Sequence, residues 1–291
     1  MKVIKRLSDI SNSFDTFIID LWGVMHDGKK SFPEAIKCVD ALYKLKKNLI
    51  IISNSSQKNE TILVDLKKLG FNIDVFNKIL TSGQTVWEEL KKPTLAWSKK
   101  LGQNCYHLTN NLKKNKNDLL KELDKKIVID INNADFIIGS SADPYKPILD
   151  YAPLLQKAYI KKLPFICVNP DYESVEKDDS NKRKICMGAI AKLYESIGGE
   201  VFILGKPSDF IYKKATLFIN NFDKKRTIAI GDSLSHDIYG AYNFGIKSMF
   251  ISSGIHSNIF QSNNNINLRD LIKEYSEYKV LPDFVSETLS F

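Results

Sequence analysis

The stretch that decides the fold is Phe-Ile-Ile-Asp-Leu-Trp-Gly-Val at residues 17–24. A short apolar run ends at Asp20, and such a run is typical of a buried strand in a parallel sheet. Open parallel sheets bind their ligands beyond the carboxyl ends of their strands. The carboxylate of Asp20 is therefore expected to face a ligand crevice.

Three later segments repeat this arrangement, in which an apolar run leads into polar residues. They are Ser-Asn-Ser at 53–55, Gly-Lys-Pro at 205–207 and Gly-Asp-Ser at 231–233, the last followed by Asp237. Strands that alternate with helices form a doubly wound parallel sheet, whose strand ends meet along one edge. A hydroxyl, an ammonium and two carboxylates are therefore predicted to converge on one crevice, although they lie far apart in the chain.

The paired acids are the most informative members of this set. Asp20 or Asp232 alone is equally consistent with a strand-end residue that caps the following turn. Two carboxylates at neighbouring strand ends repel each other unless a cation lies between them, and hard oxygen ligands suit Mg²⁺. Lys206 and the Ser53 hydroxyl would then bind a phosphoryl group, with help from nearby backbone N–H groups. Asp237 is expected near a helix start, from which it would orient Lys206 or a metal-bound water.

The pattern of strands and helices predicts two domains of the α/β class. Strand and helix alternate over residues 1–92, and the same pattern resumes at 186 and continues to 291. Residues 93–185 instead combine short strands with polar, Lys- and Asn-rich connections. The simplest arrangement is one α/β core interrupted by an inserted domain.

Composition excludes several function classes. The four cysteines are scattered without a CxxC pair, which argues against structural zinc. No apolar window reaches the ~18–20 residues that span a bilayer, and the first residues lack a secretory apolar stretch, so cytoplasm and no membrane partner are expected. The net charge of +8 is spread over lysines on predicted helix faces. That distribution favours solvated surfaces over nucleic-acid binding, although the positive field would attract an anionic substrate.

The order of the four motifs resembles the haloacid dehalogenase (HAD) superfamily of aspartyl phosphotransferases. The middle insertion, Val-Asn-Pro-Asp at 168–171 and Ile-Tyr-Gly-Ala at 238–241 are similar to the class IIA branch, which includes phosphatases of sugar, nitrophenyl and pyridoxal phosphates. Asp-Leu-Trp-Gly-Val at 20–24 resembles a bacterial group with Trp at this place. The resemblance implies a Rossmann-like core over 1–92 and 186–291 and an inserted C2-type cap over 93–185.

The resemblance also implies a mechanism and site residues. Asp20 would attack phosphorus, form an aspartyl-phosphate and release a small phosphorylated metabolite's alcohol, and Lys206 would assist. The implied Mg²⁺ ligands are Asp20, the backbone carbonyl of Trp22, and Asp232. The implied phosphate-binding residues are Ser53, Asn54 and Lys206, with Asp237 supporting them. Some relatives pair through their caps, which leaves a homodimer open.

Trp22 departs from the family pattern, in which a second Asp usually serves as general acid and base. Indole does not transfer protons near neutral pH. One reading is a substrate with a good leaving group, and a second makes His26 the acid and base, although His26 also suits a structural role in a hairpin. A third reading is a protein that binds a phosphometabolite or a partner without catalysis. Trp22 would also suit an apolar floor that stacks on an aromatic substrate.

Overall fold

The computed structural model describes residues 1–110, 118–175, 183–261 and 267–291. The chain divides into two compact units, which differ in extent from the predicted domains. Unit 1 contains residues 1–53, 60–80 and 206–291, and unit 2 contains residues 54–59 and 81–205. Within the described ranges, no helix is both long enough and apolar enough to cross a membrane.

The strands are numbered in chain order. They are β1 Lys2–Val3, β2 Thr16–Ile19, β3 Asn48–Ser53, β4 Lys78–Thr81, β5 Asn104–Leu108, β6 Lys126–Val128, β7 Phe136–Gly139, β8 Phe165–Cys167, β9 Glu173–Val175, β10 Arg183–Ile185, β11 Val201–Ile203, β12 Thr227–Gly231, β13 Lys247–Ile251 and β14 Phe284–Ser286.

The helices are numbered in the same way. They are α1 Pro33–Lys44, α2 Asn59–Lys68, α3 Ser82–Lys91, α4 Ala152–Ile160, α5 Met187–Ser196, α6 Asp209–Thr216, α7 Tyr239–Phe244, α8 Ser257–Gln261 and α9 Leu268–Tyr275. A π-helical turn at Leu234–Ile238 precedes α7.

A seven-stranded sheet forms the centre of unit 1, in the order β1-β14-β13-β12-β2-β3-β4. The pairings from β1 through to β3 are parallel. From the central strand β2 the chain runs outward through β3 to β4, and it later returns to the centre at β12 and runs outward on the other side through β13 and β14. This is the Rossmann-like strand order. The winding direction reverses between β2 and β12, where open sheets of this kind bind ligands. Asp20 and Asp232 follow these two strands.

Successive residues of β2 point to opposite faces of the sheet, and each face has its own apolar core. Phe17 and Ile19 pack in a core with residues of α1 and α2, whereas Ile18 packs in a core with residues of α6 and α7. Both faces are therefore buried, as an apolar run without polar alternation predicts. The predicted α/β class and doubly wound parallel sheet are confirmed.

Unit 2 has a smaller parallel sheet of five strands, in the order β11-β8-β7-β5-β6. Its core combines residues of β7 and β8 with buried side chains of α4 and α5, such as Leu155, Ile190 and Tyr194. The hairpin of β9 and β10 is antiparallel and separate from this sheet.

The unit boundaries correct the sequence-based placement of one motif strand. The apolar run at 201–204 was predicted to belong to the core sheet, but β11 pairs with β8 in unit 2, with Val201 opposite Phe165. Helix α5, just before β11, packs in the same apolar core of unit 2. Unit 2 therefore extends to Gly205, and unit 1 resumes at Lys206. The assignment of 93–185 as a separate cap domain stays a prediction.

Candidate active site

Lys206 lies between two carboxylates in the interior of unit 1. Its Nζ donates a short hydrogen bond to Asp20 Oδ1 and another, of 2.7 Å, to Asp237 Oδ1. Asp20 comes directly after β2, and Asp237 lies in the π-helical turn after β12. All three side chains are buried. Residues that are 186 positions apart in the sequence thus form one charged cluster, as predicted.

Asp232 completes the acidic cluster and is held by a tight backbone cradle. One carboxylate oxygen each from Asp20, Asp232 and Asp237 can be chosen so that all three lie within 4.8 Å of one another. The backbone N–H of Ile255 donates to Asp232 Oδ2 at 2.7 Å. A Cβ placed on Gly23 or Gly254 would lie 1.9 or 2.1 Å from that same oxygen. Only glycine at these two positions leaves room for the carboxylate.

The π-helical turn fixes the direction of Asp237. Its Oδ2 accepts a hydrogen bond of 3.1 Å from the backbone N–H of Ser233, while its Oδ1 accepts from Lys206. The backbone N–H groups of Asp237 and Ile238 both donate to the Ser233 carbonyl, which is the local widening of the helix. Such π-turns occur frequently at functional sites. The turn aims the Asp237 carboxylate back at the lysine.

The two carboxylates keep Lys206 charged. Burial by itself lowers the pKa of a lysine, but the negative charges of Asp20 and Asp237 outweigh it and raise the pKa of Lys206 well above its ordinary value. A permanently protonated ammonium is a hydrogen-bond donor with no acceptor capacity. Lys206 can therefore bind phosphoryl oxygens but cannot act as a base.

The positive charge of Lys206 does not neutralise the three buried carboxylates of the cluster. The effect of the uncompensated negative charge appears at Asp232. Burial and the charges of Asp20 and Asp237 raise the pKa of Asp232 well above its usual range. A divalent cation would relieve this repulsion, because Mg²⁺ is a hard cation whose protein ligands are typically one or two carboxylates. The donor set of Asp20 and Asp232 thus fits the predicted metal. The contribution of the Trp22 carbonyl stays a prediction.

The side chain of Trp22 packs in the hairpin that follows the Asp20 turn. A Cβ on Gly28 would lie 2.1 Å from the indole, so the backbone of that hairpin lies directly against the ring. The imidazole of His26 meets the indole edge-on, with ring centroids 5.4 Å apart. Trp22 nevertheless keeps 41% of its surface exposed. It is an immobilised aromatic surface two residues from Asp20.

His26 is tied into the same hairpin. Its Nδ1 accepts a 3.0 Å hydrogen bond from the backbone N–H of Gly28, so the neutral ring carries its proton on Nε2. Burial lowers the pKa of His26, and the charges of Asp27 and Asp65 offset this only in part. The imidazole therefore stays neutral at neutral pH. This geometry favours the structural reading of His26 over a role as acid and base.

The remaining predicted phosphate-binding residues fall in different places. Ser53 is buried at the end of β3, the strand beside β2, at the same edge of the unit 1 sheet as Asp20. Asn54 belongs to unit 2, where its Nδ2 donates to Asp171 Oδ1 at 2.8 Å. Ser53, Lys206 and Asp20 therefore lie in unit 1, whereas Asn54 does not. The phosphate-binding role of Ser53 and Asn54 stays a prediction.

Sequence reasoning missed Gly254 and Ile255, which shape the acidic cluster from a further strand end. They follow β13, the neighbour of β12, with two serines in between. The signal was present, because the apolar run at 249–251 leads into Ser-Ser-Gly just as the other runs lead into their motifs. The segment was overlooked because it carries no charged side chain. Ile255 contributes only its backbone N–H, and Gly254 contributes only the space that a side chain would have filled.

Comparisons with known proteins agree with this architecture. Residues 17–96 match a family described as haloacid dehalogenase-like hydrolase, and residues 203–290 match a second family of HAD-like hydrolases. A solved haloacid dehalogenase-like hydrolase from Brucella suis has 25% identity and a TM-score of 0.80, covering 98% of this chain and 99% of that one. The chain belongs to the haloacid dehalogenase-like hydrolases. The predicted resemblance to the HAD superfamily and its class IIA branch is thereby confirmed, and the chain is a HAD-superfamily hydrolase of the class IIA type. The resemblance of residues 20–24 to a bacterial group with Trp at this place stays a prediction.

Two further relatives of this HAD-like hydrolase have named activities. The 4-nitrophenylphosphatase of Schizosaccharomyces pombe is 26% identical over 267 residues, which are 86% of this chain and 88% of the relative. The glycerol phosphate phosphatase of Mycobacterium tuberculosis, solved in complex with magnesium, has a TM-score of 0.66 and 16% identity. That match covers 95% of this chain and 75% of the other, and it shows the shared fold alone.

Proposed function

We propose that this HAD-like hydrolase is a Mg²⁺-dependent phosphatase of the cytoplasm that hydrolyses a small phosphorylated metabolite through an aspartyl-phosphate on Asp20. The observation that carries the proposal is the buried contact of Asp20 with Lys206 next to the carboxylate of Asp232. Similarity to a 4-nitrophenylphosphatase supports the same reaction class. The proposed site combines a nucleophile with a permanent cation and a metal ligand, and such cationic groups stabilise the charge of a phosphoryl group during its transfer.

The reaction proceeds in two displacements. An Asp20 oxygen attacks phosphorus, the bond from phosphorus to the leaving oxygen breaks, and the leaving group departs with that bond's electron pair. Water then attacks the phosphorus of the aspartyl-phosphate, which restores the Asp20 carboxylate and releases inorganic phosphate. Lys206 donates to phosphoryl oxygens in both steps, and Asp237 holds its ammonium in position.

Mg²⁺, when bound, supplies positive charge that offsets the repulsion between Asp20 and the incoming phosphoryl group. Asp20 and Asp232 would hold it, and the cradle at Gly23 and Gly254 sets where the Asp232 oxygen lies. Magnesium in a structurally similar glycerol phosphate phosphatase supports the choice of ion. Binding would also remove the cost of burying an excess carboxylate charge.

Trp22 limits which substrates turn over quickly. General acid–base help is typically worth ~10²–10⁴ in rate, and neither the indole nor the His26 ring can supply it. Aryl and acyl phosphates have leaving groups that depart without protonation, whereas sugar and alkyl phosphates do not. The exposed part of the Trp22 ring also offers a stacking surface to an aromatic leaving group. Aryl phosphates are accordingly the favoured substrates.

The second candidate function is binding of a phosphometabolite without turnover. It is supported by Trp22 and His26, neither of which transfers protons. A site without a proton carrier would still keep its cation and its carboxylates, and so could bind a phosphate ester without cleaving it. The two functions differ only in whether the phosphorus–oxygen bond breaks. Phosphate release by the wild type that is lost in Asp20→Asn would indicate the phosphatase, and binding without release by either protein would indicate the binding function.

The deciding experiment is a hydrolysis panel of aryl, acyl, sugar and pyridoxal phosphates, run with Mg²⁺ and with a chelator. The phosphatase proposal expects phosphate release from the aryl and acyl esters, loss of release with chelator, and no release by Asp20→Asn. Ser13→Ala is the matched control and should keep full activity, because Ser13 is exposed and precedes the amino end of β2, whereas Asp20 follows the carboxyl end of that strand. Tight binding of an ester without any release would replace the phosphatase by the binding protein.

A further inference from the structure

The phenol of Tyr212 is buried beside the charged cluster of unit 1. Tyr212 lies in α6, and only 1% of its surface is exposed. Its hydroxyl donates a hydrogen bond of 3.4 Å to the backbone carbonyl of Asp237. The carboxylate of the same residue accepts a hydrogen bond from Lys206. Asp237 is therefore bonded through its main chain to Tyr212 and through its side chain to the site lysine.

Close packing keeps the Tyr212 ring in one position. A Cβ placed on Gly240, in α7, would lie 2.8 Å from the Tyr212 oxygen and 3.0 Å from its ring atom Cε2. The same Cβ position is 3.2 Å from the Cα of Pro207, the residue that follows the site lysine. The Tyr212 ring also stacks on Phe244, with ring centroids 5.4 Å apart. The phenol therefore lies where the segment after the lysine meets the helix that follows the π-helical turn.

The Tyr212 hydroxyl stays protonated and serves as a hydrogen-bond donor. Burial and the charge of Asp237 raise the pKa of Tyr212, and the charge of Lys206 offsets this only in part. The phenol therefore keeps its proton at neutral pH, and a buried O–H group needs an acceptor. Within the described ranges that acceptor is the Asp237 carbonyl. The hydrogen bond accordingly constrains the main chain of the π-helical turn.

A second buried tyrosine makes the same kind of bond in unit 2. The hydroxyl of Tyr194 donates to the backbone carbonyl of Leu163 at 2.7 Å, and both residues belong to the apolar core of that unit. Neither residue is part of the charged cluster. Tyr194 is therefore a matched control for the loss of a buried tyrosine hydroxyl.

We propose that Tyr212 is a positioning residue for the reaction: its hydroxyl fixes the backbone of Asp237, and thereby the direction in which the Asp237 carboxylate presents Lys206 to a phosphoryl group. The proposal rests on the proposed function, in which Lys206 donates to phosphoryl oxygens. Donors stabilise developing charge best when they are already in place, so a small displacement of the ammonium reduces the rate.

The first test compares Tyr212→Phe with Tyr194→Phe in the full chain, because each change removes one buried hydroxyl and keeps the ring. Tyr212→Phe should lower kcat for 4-nitrophenyl phosphate about three- to tenfold, the loss expected from one hydrogen bond. KM should change less, because Lys206 acts most strongly on the transition state. Tyr194→Phe should keep both kinetic parameters. Lower unfolding temperatures in both variants with unchanged kcat would make Tyr212 purely structural and overturn the proposal.

The second test displaces the hydroxyl without removing it. Gly240→Ala brings a methyl group against the Tyr212 oxygen and should also lower kcat. In the Tyr212→Phe background the same alanine should cost less, because the hydroxyl through which it acts is already absent. Fully additive effects in this double-mutant cycle would show that the two positions act separately, and would contradict the proposal.

The third test is a binding measurement that needs no turnover. Isothermal titration uses orthovanadate, which adopts the five-coordinate geometry of a phosphoryl group during transfer, in the presence of Mg²⁺. Tyr212→Phe should weaken vanadate binding about three- to tenfold, and Tyr194→Phe should not. If the wild type hydrolyses no ester, the phosphatase proposal fails and this titration alone decides the role of Tyr212. Equal affinity in wild type and Tyr212→Phe, or no binding by the wild type, then overturns that role.

Discussion

At the scale of single residues, the proposed function puts Trp22 in the place of a group that would otherwise move protons. Trp22→Asp should raise the hydrolysis of sugar and alkyl phosphates by about 10²-fold or more, because a carboxylic acid can protonate a poor leaving group. The gain for 4-nitrophenyl phosphate should be smaller. Steady-state kcat/KM for matched alkyl and aryl esters measures both. Trp22→Phe, which keeps an aromatic ring, serves as the control and should leave the alkyl rate unchanged; an equal gain in both variants would contradict the missing-acid argument.

Gly23 is a second residue whose role can be isolated. Gly23→Ala places a Cβ 1.9 Å from Asp232 Oδ2 and also forces alanine to φ +74°. The left-handed conformation alone costs about 1–2 kcal/mol. Gly245 is a matched control, since its φ is +78° and nothing lies within 4 Å of its Cβ position.

We therefore expect both alanine variants to unfold at lower temperature, but only Gly23→Ala to lose Mg²⁺ affinity and turnover. Thermal unfolding and isothermal titration with MgCl₂ make the comparison. Retained Mg²⁺ binding in Gly23→Ala would mean that the position of Asp232 is not set by this contact.

At the scale of elements, the end of α3 is fastened by one buried acid. The Glu89 carboxylate accepts hydrogen bonds from the backbone N–H groups of Thr94 and Leu95 and from the hydroxyls of Thr94 and Ser98. Burial raises the pKa of Glu89, but these donors outweigh it, so the pKa lies below its ordinary value. The carboxylate therefore stabilises unit 2 above the unfolded pKa of about 4.3, and this contribution disappears as pH falls through the lower native pKa.

Glu89→Gln removes the charge from this set of bonds and should destabilise the fold by roughly 1.5–3 kcal/mol at neutral pH. The difference from wild type should shrink on acidification into the range where the native carboxylate protonates. Denaturant unfolding at neutral and acid pH measures it, with Glu60→Gln at an exposed position of α2 as the control. A pH-independent difference would show that charge is not the stabilising property.

The elements also show where sequence reasoning succeeds and where it fails. The strand ends at Asp20 and Asp232 were predictable, because each apolar run is short and a carboxylate follows it, directly in the case of Asp20 and after one glycine in the case of Asp232. The sheet membership of β11 was not, since Val-Phe-Ile pairs equally well with an apolar strand of either sheet. Its partner Phe165-Ile166-Cys167 lies closer in the chain than any strand of the unit 1 sheet that precedes it. Pairing choices of this kind depend on long-range packing that local patterns do not encode.

At the scale of the whole molecule, the uncompensated negative charge around Asp232 should make the stability of the fold depend on pH and on Mg²⁺. The native pKa of Asp232 lies above its unfolded value of about 3.9, so the metal-free fold loses stability as pH rises from that value through the raised native pKa. If Mg²⁺ binds as proposed, it takes the place of the proton on Asp232, and its stabilising effect should therefore grow as pH rises across the same window.

The measurement is the shift in unfolding temperature caused by Mg²⁺, taken from about pH 5 to about pH 8. We expect a larger shift at the alkaline end for wild type and a small, pH-independent shift for Asp232→Asn. Asp283→Asn, a carboxylate paired with Lys247 elsewhere in unit 1, is the control that should behave like wild type. Equal shifts at all pH values would remove the link between metal and Asp232.

The parts of the candidate site that are formed by charged side chains were predictable from the sequence, and the parts that are formed by main-chain atoms were not. The contact of Lys206 with Asp20 was predicted correctly. The family resemblance implied it, whereas the strand-end argument does not explain it, because β11, which precedes Lys206, pairs in the unit 2 sheet and not in the sheet of β2. The cradle of Gly254 and the backbone N–H of Ile255 was not predicted, because its contribution is made by main-chain atoms. The immobilisation of Trp22 against Gly28 likewise needs a three-dimensional contact that no spacing reveals.

The most direct test is to look for the phosphoryl group on Asp20. In the proposed mechanism Trp22 leaves the second displacement without a general base, so the aspartyl-phosphate should accumulate during turnover of 4-nitrophenyl phosphate. Acid quenching followed by peptide mass spectrometry should find one phosphoryl group on the peptide that contains Asp20, with Mg²⁺ present and not with chelator. Nitrophenol release by Asp20→Asn, or by wild type with phosphorylation at any other residue, would contradict the account.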